Sequence, residues 1–176
     1  SGLQVPAAVK FNSAGELHIL DTAAGTVLRR NSDGSVGVVA RLETGLDNFA
    51  FDNEDNLFVS SYADGSIVRV SGDSVEEVLP GGISHPGGLT VLDETLVVAD
   101  IQSLRAVDIA TRNDVWVLRN IFRSAPLGTT TSVSTDSGNL LLTSWLDNSV
   151  KVLDPKTGEI VKSIEGLGIP VSAVPF

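Results

Sequence analysis

Four stretches of this chain can be laid over one another, and that self-similarity limits the possible folds more than any other property of the sequence. They are "VPAAVKFNSAGELHILDTAAGTVLRRN", "LDNFAFDNEDNLFVSSYADGSIVRVSG", "HPGGLTVLDETLVVADIQSLRAVDIAT" and "GTTTSVSTDSGNLLLTSWLDNSVKVLD". Leu17, Leu57, Leu96 and Leu140 share one position in them, at spacings of 40, 39 and 44 residues. The approximate repeats are 2–42, 43–81, 82–120 and 121–166, and a fifth begins in 167–176 with "IPVSAVPF".

Each repeat reads as four short strands. A first strand such as Val9 to Phe11 or Phe49 to Phe51 alternates apolar with small or polar neighbours. A polar turn ("NSAGE", "DNEDN", "LDET", "TDSGN") leads to an apolar run ("LHIL", "LFVS", "LVVA", "LLLT") too short for an ordinary helix. Two further turns rich in Asp, Asn, Ser and Gly separate the last two strands, and such residues accept the positive φ that tight hairpins require. No segment of about 12 residues carries a helical period. Four-stranded units of roughly 40 to 45 residues are the blades of a β-propeller. A β-sandwich would not require each block to match its neighbour. The expected fold is therefore an all-β propeller of four-stranded antiparallel blades, with about four blades in one region spanning 1–176.

With 176 residues, 42% of them hydrophobic, and a mean hydropathy of +0.20, the chain can fill one core and is expected to fold. Twelve basic against twenty-two acidic residues give a net charge of -10. That field repels nucleic acid and anionic membrane surfaces, so neither is an expected partner. The chain has no cysteine, which excludes thiol nucleophiles and cysteine-ligated zinc. The compartment stays open, with a periplasmic or secreted setting favoured. No apolar run approaches the roughly 20 residues of a membrane-spanning helix. There is no methionine, so Ser1-Gly2 reads as a processing scar and the native start is expected to be missing.

The repeats resemble the NHL-repeat and SMP-30/gluconolactonase-like propellers. The pattern is Pro-small-small-apolar, a turn, then Gly-x-Leu-x-apolar-x-Asp, carried here by "VPAAVKFNSAGELHILDTAAGTVLRR", by "HPGGLTV" with "LVVAD", and by "IPVSAV". The resemblance implies about six blades, whereas this chain holds four and a lone first strand. A fragment of a larger propeller, a ring completed by another chain, and an unusual closure all fit, and the first two are favoured. An open end leaves strand edges that invite self-association.

Comparison across the repeats separates candidate sites from turn chemistry. Asp52, Glu54 and Asn56 echo a calcium loop, but Leu57 stands where that loop needs glycine, and the other repeats fill the slot without the acids. The set reads as turn chemistry. Ala7, Asp47, Gly87, Thr130 and Val171 align as the start of each first strand. The resemblance to SMP-30-like propellers implies that Asn or Asp there can ligate a divalent metal in the central channel. Asp47, with Asn48 beside it, is the position that matches; calcium, magnesium, manganese or zinc is the implied cofactor class. Thr130 adds one hydroxyl. His85 is a candidate general base near a channel mouth, as resemblance to streptogramin-lyase-like propellers also implies. "PGGISHPGG" lacks the lysine and strand-to-helix setting of a phosphate loop, and no Gly-x-Ser-x-Gly occurs. The segment 118–132, "LRNIFRSAPLGTTTS", gathers Arg119, Phe122 and Arg123 as a loop for a carboxylate ligand or a partner chain.

Two functions follow. The first is a non-catalytic propeller module that binds a small molecule or protein, or assembles with further blades. The alternative is a metal-dependent, SMP-30-like lactonase or related hydrolase, whose metal would activate water while a base such as His85 moved the proton.

Overall fold

The structure is a computed structural model and describes residues 2–101, 103–119, 130–144, 146, 148 and 149–173. Among these residues every regular element is a β-strand. They form four antiparallel sheets, each with its four strands in sequence order, as blades require. Blade 1 comprises β1 (Pro6–Phe11), β2 (Leu17–Asp21), β3 (Thr26–Arg30) and β4 (Val36–Arg41). Blade 2 comprises β5 (Leu46–Phe51), β6 (Leu57–Ser61), β7 (Ile67–Ser71) and β8 (Ser74–Leu79). Blade 3 comprises β9 (Gly88–Leu92), β10 (Thr95–Ala99), β11 (Ser103–Asp108) and β12 (Asp114–Arg119). Blade 4 comprises β13 (Thr130–Asp136), β14 (Asn139–Ser144), β15 (Ser149–Leu153) and β16 (Ile160–Ile164). The chain divides into two compact units, Ser1–Ile83 with blades 1 and 2 and Ser84–Phe176 with blades 3 and 4.

Local chemistry fixes each hairpin. In blade 1 the Asn12 side-chain oxygen accepts the Glu16 N–H at 2.8 Å, and Gly15 takes φ 73°. Asp52 does the same work in blade 2, accepting the N–H groups of Glu54 at 3.0 Å and Asn56 at 2.8 Å. In blade 4 Ser137 and Gly138 both have positive φ, 49° and 83°, as a two-residue turn matching the strand twist demands. Gly25 and Gly65 meet a different constraint. A Cβ there would lie 2.5 Å from the Leu42 carbonyl oxygen and 2.1 Å from that of Ile83. In both blades the chain leaving the sheet passes against this turn, so only glycine fits.

Each unit has its own core, made where one blade lies on the next. In the first unit, Leu20, Val27 and Ala40 of blade 1 pack against Phe49, Leu57, Val59 and Val70 of blade 2. In the second, Val97, Ala99, Leu104 and Ala106 of blade 3 pack against Val133, Leu140, Leu142 and Leu153 of blade 4. Trp116 seals the outer side: its indole N–H donates to the Pro155 carbonyl at 2.8 Å. The registers make these interfaces equivalent. Val9 pairs with Ile19, Phe49 with Val59, Leu89 with Val98 and Val133 with Leu142. One face of every blade therefore carries the same four-strand row.

Candidate functional site

Asp47 and Asn48 stand together opposite the single residue Ser60, because Leu46 pairs with Ser61 and Phe49 with Val59. This is a β-bulge, a device that turns a side chain out of the regular pleat. It is held by the Asn48 N–H, which donates to Ser60 Oγ at 3.1 Å, and by the Asn48 side-chain oxygen, which accepts the Phe49 N–H at 2.8 Å. Asn48 is thus committed in part to its own backbone, while Asp47 is the half-buried carboxylate beside it. Bulges recur between Pro6 and Ala8 and between Thr130 and Ser132. By register Thr131, one residue beyond Thr130, is the counterpart of Asp47; the turn between β13 and β14 is one residue shorter than its counterpart in blade 2, which shifts the alignment read back from Leu140.

His85, in the second unit, is exposed with φ 59°, and its Nδ1 lies 3.5 Å from Ser84 Oγ. Arg119 ends β12, exposed and paired in register with Ser103. Phe122 and Arg123 lie outside the described residues. Among the described residues no group of three or more His, Asp or Glu side chains is placed to hold a metal ion.

The acids of "DNEDN" have structural partners. Asp52 caps its own turn and lies 3.7 Å from the Arg69 guanidinium. Asp55, at φ 60°, reaches across to blade 1, where the Ser13 N–H and hydroxyl donate to it at 2.9 and 2.7 Å. Those two bonds, backbone first, hold its carboxyl below the usual range.

The most unusual surface lies on blade 1. The row Val9, Ile19, Leu28 and Val38, with Phe11, Leu17 and Val36 beside it, forms one face of the sheet. Val9 is 57% exposed, Phe11 66%, and Val36 and Val38 46% each. The counterparts of Val9, Phe49 and Val133, are 0% and 4% exposed, whereas Val75 and Glu77, the blade 2 counterparts of Val36 and Val38, are exposed as well. In blades 2 and 4 the preceding blade of the same unit covers the inner strands of this face. Scattered exposed aliphatics are ordinary, but a contiguous apolar sheet face signals a contact surface.

No family model matches the chain, and no curated protein matches it. Solved structures do. The chain is similar to a nidogen/laminin complex, with TM-score 0.79 and 17% identity over 94% of this chain and 65% of that one. It is similar to a streptogramin B lyase, with TM-score 0.68 and 14% identity over 91% and 54% of the two chains. A catalytically inactive virginiamycin B lyase from Staphylococcus aureus, solved with quinupristin, gives 0.68 and 18% over 93% and 58%. The chain has the β-propeller fold. Identities this low establish the fold alone, and the chain spans 54 to 65% of the length of these propellers.

On the opposite face of the same propeller blade, Lys10 pairs in register with buried His18. Its ammonium lies 5.9 Å from the Phe49 ring centroid, and the His18 ring meets Phe51 edge-on at 4.8 Å. Burial pushes the Lys10 amine down to about 8. A lowered lysine value means that the unfolded chain takes up the proton first. Stability should therefore fall as pH drops from above 10 to about 8, and stay reduced at pH 7. Lys10→Met is expected to raise stability at pH 7 by about 1–2 kcal/mol, after allowance for residual solvent contact and the lost ring interaction. Urea unfolding at pH 7 and pH 10 checks this: the gain should shrink at the higher pH.

The exposed face of blade 1 was missed by sequence reasoning. Val9 and Phe11 occupy positions that are apolar in most repeats, so nothing in their own letters distinguishes them.

Proposed function

We propose that this propeller chain is a non-catalytic module that docks protein surfaces, further blades included, through the bare face of blade 1. One observation carries the reading: on the inner strand of blade 1 Val9 is exposed where blades 2 and 4 bury Phe49 and Val133, and Phe11, Val36 and Val38 extend the exposed apolar face beside it. An apolar sheet face suits a protein partner better than a small polar substrate. A structural neighbour caught in a protein–protein complex is consistent with that use of the fold. Asp47 with Asn48 is proposed as a polar contact at the mouth of blade 2, where the bulge presents it. Thr130, Arg119, Phe122 and Arg123 remain proposed partner contacts.

The test is binding of a dye that reports apolar surface, such as an anilinonaphthalene sulfonate. Val9→Glu/Phe11→Glu should remove most of the dye signal and leave the unfolding midpoint nearly unchanged. Undiminished dye binding would defeat the docking reading. A thermal-shift series with calcium, magnesium, manganese and zinc is the companion measurement, with no stabilisation expected. A metal-dependent shift abolished by Asp47→Ala would instead move the function to a metal-dependent hydrolase.

A further inference from the structure

We propose that residues 167–173 occupy the place beside β13 that the first strand of a second copy would take, so that releasing them lets copies join head to tail. In that contact the bare face of blade 1 of one copy covers the far face of blade 4 of the next. The inference rests on reading the blade 1 face as a docking surface and names its occupant.

Three observations lead there. First, residues 169–173 repeat the opening of a blade. "IPVSA" matches "VPAAV" at 5–9 and "HPGGL" at 85–89. Ile169, at the head of this stretch, and His85 and Gly45, shortly before β9 and β5, have φ values of 48°, 59° and 88°. A β-branched residue rarely adopts positive φ, so Ile169 is held in a shape imposed by its place. Second, the segment lies where a next blade would begin. Ser134 Oγ on β13 donates to the Ala173 carbonyl at 2.7 Å, 39 residues away. The Leu167 N–H donates to the Asn148 carbonyl at 3.0 Å, and the Ile169 N–H to Asn148 Oδ1 at 3.2 Å. Third, the far face of blade 4 is covered only in part. Ile169 and Val171 are exposed, and so is Ile164 on β16. Half-buried Leu141 and Val152 lie in one cross-strand row of blade 4's far face, beside a row in which Thr143 and Val150 are buried and Ile164 is exposed.

Both halves of a blade–blade contact are therefore carried by one chain. The row Val9, Ile19, Leu28 and Val38, exposed at Val9 and Val38, is the counterpart of the blade 2 row whose inner members Phe49 and Val59 lie buried under blade 1. The far face of blade 4 is the counterpart of the face with which blade 1 covers blade 2. Residues 169–173 and β1 are the same element of the repeat, and one place beside β13 cannot hold both. A whole blade brings four strands of contact where the segment brings one, so the second copy wins once the segment's three hydrogen bonds are weakened. The joint is heterologous, and it closes a ring or extends according to its rotation.

Sedimentation equilibrium of the whole chain and three variants tests this. Asn148→Gly/Ser134→Ala releases the segment; Asn148 has φ 51°, so glycine keeps the backbone shape while losing the Oδ1 acceptor. That variant should associate about tenfold more tightly than the parent. Adding Val9→Glu/Phe11→Glu should return it to monomer. Mixing this fourfold variant, which offers only its blade 4 end, with the parent should give a 1:1 complex that does not grow. A peptide of residues 166–176 in excess should suppress association of the released chain, a check that holds even if a variant folds poorly. Association of the released chain no tighter than the parent's overturns the proposal, as does a peptide without effect. Self-association of the released chain without the mixed 1:1 complex also overturns it, because the contact would then be symmetric. Loss of dye binding in Val9→Glu/Phe11→Glu with no association in any chain refutes the second copy alone and leaves the docking face standing.

Discussion

Phe49→Ala is expected to cost the fold about 3–5 kcal/mol, while Val9→Ala, at the same position of the repeat, costs about 0.5 kcal/mol. Phe49 is fully buried in the core between blades 1 and 2, edge-on to Phe51 at 5.7 Å. Truncating it removes a large apolar area and leaves a cavity that close-packed neighbours cannot fill. Val9 occupies the corresponding place on blade 1, but more than half of it faces solvent, so little burial is lost. What remains is the smaller preference of a strand for a β-branched residue. Urea unfolding of both variants at micromolar concentration gives the comparison. A cost for Val9→Ala approaching that of Phe49→Ala would mean that the blade 1 face is covered in solution.

That contrast shows how far the letters reach. The four-stranded blades were legible because an apolar residue recurs at fixed positions, as at Leu17, Leu57, Leu96 and Leu140, and because residues tolerant of positive φ mark the turns. The turn role of "DNEDN" was legible by comparison with "NSAGE", whose Asn12 caps as Asp52 does. The bond from Ser13 to Asp55 was not, since it joins residues 42 positions apart. The bulge at Asp47 and Asn48 was also out of reach. Two residues facing one is a property of register, and register depends on both strands at once. For the same reason Thr130 was aligned one residue early. The exposure of Val9 and Phe11 is less legible still, because it is decided by what lies against the sheet and not by the sheet itself. Arg119 is exposed, and exposure alone gives it no ligand.

The aspartate that closes the Gly-x-Leu-x-apolar-x-Asp pattern in blade 1 is the second place where a large effect is expected. Asp21 is inaccessible to solvent, and its carboxylate accepts the N–H groups of Gln4 at 2.5 Å, Val5 at 2.9 Å and Ala24 at 3.2 Å. It therefore clips the approach to β1 onto the end of β2. In blade 3 Asp100 holds the Ser103 N–H and hydroxyl in a similar way. Solvent exclusion acts to raise the Asp21 pKa, but the N–H donors, Val5 and Gln4 foremost, outweigh it and hold the carboxyl below its ordinary value. A carboxyl depressed in the folded state contributes stability above its unfolded value of about 4, and loses it as pH falls through the lower folded value. Asp21→Asn keeps the size and one acceptor oxygen, yet turns an amide N–H₂ toward backbone donors. The expected cost at pH 7 is about 2–4 kcal/mol, from weakened charge-assisted bonds and a stranded N–H. Because the parent loses the same charge in acid, its advantage over Asp21→Asn should narrow steadily below pH 4. Urea unfolding from pH 7 to pH 2 measures that difference, and amide exchange at residues 4 and 5 locates it. A gap between the two proteins that stays constant across that range would mean that Asp21 serves by its shape and not by its charge.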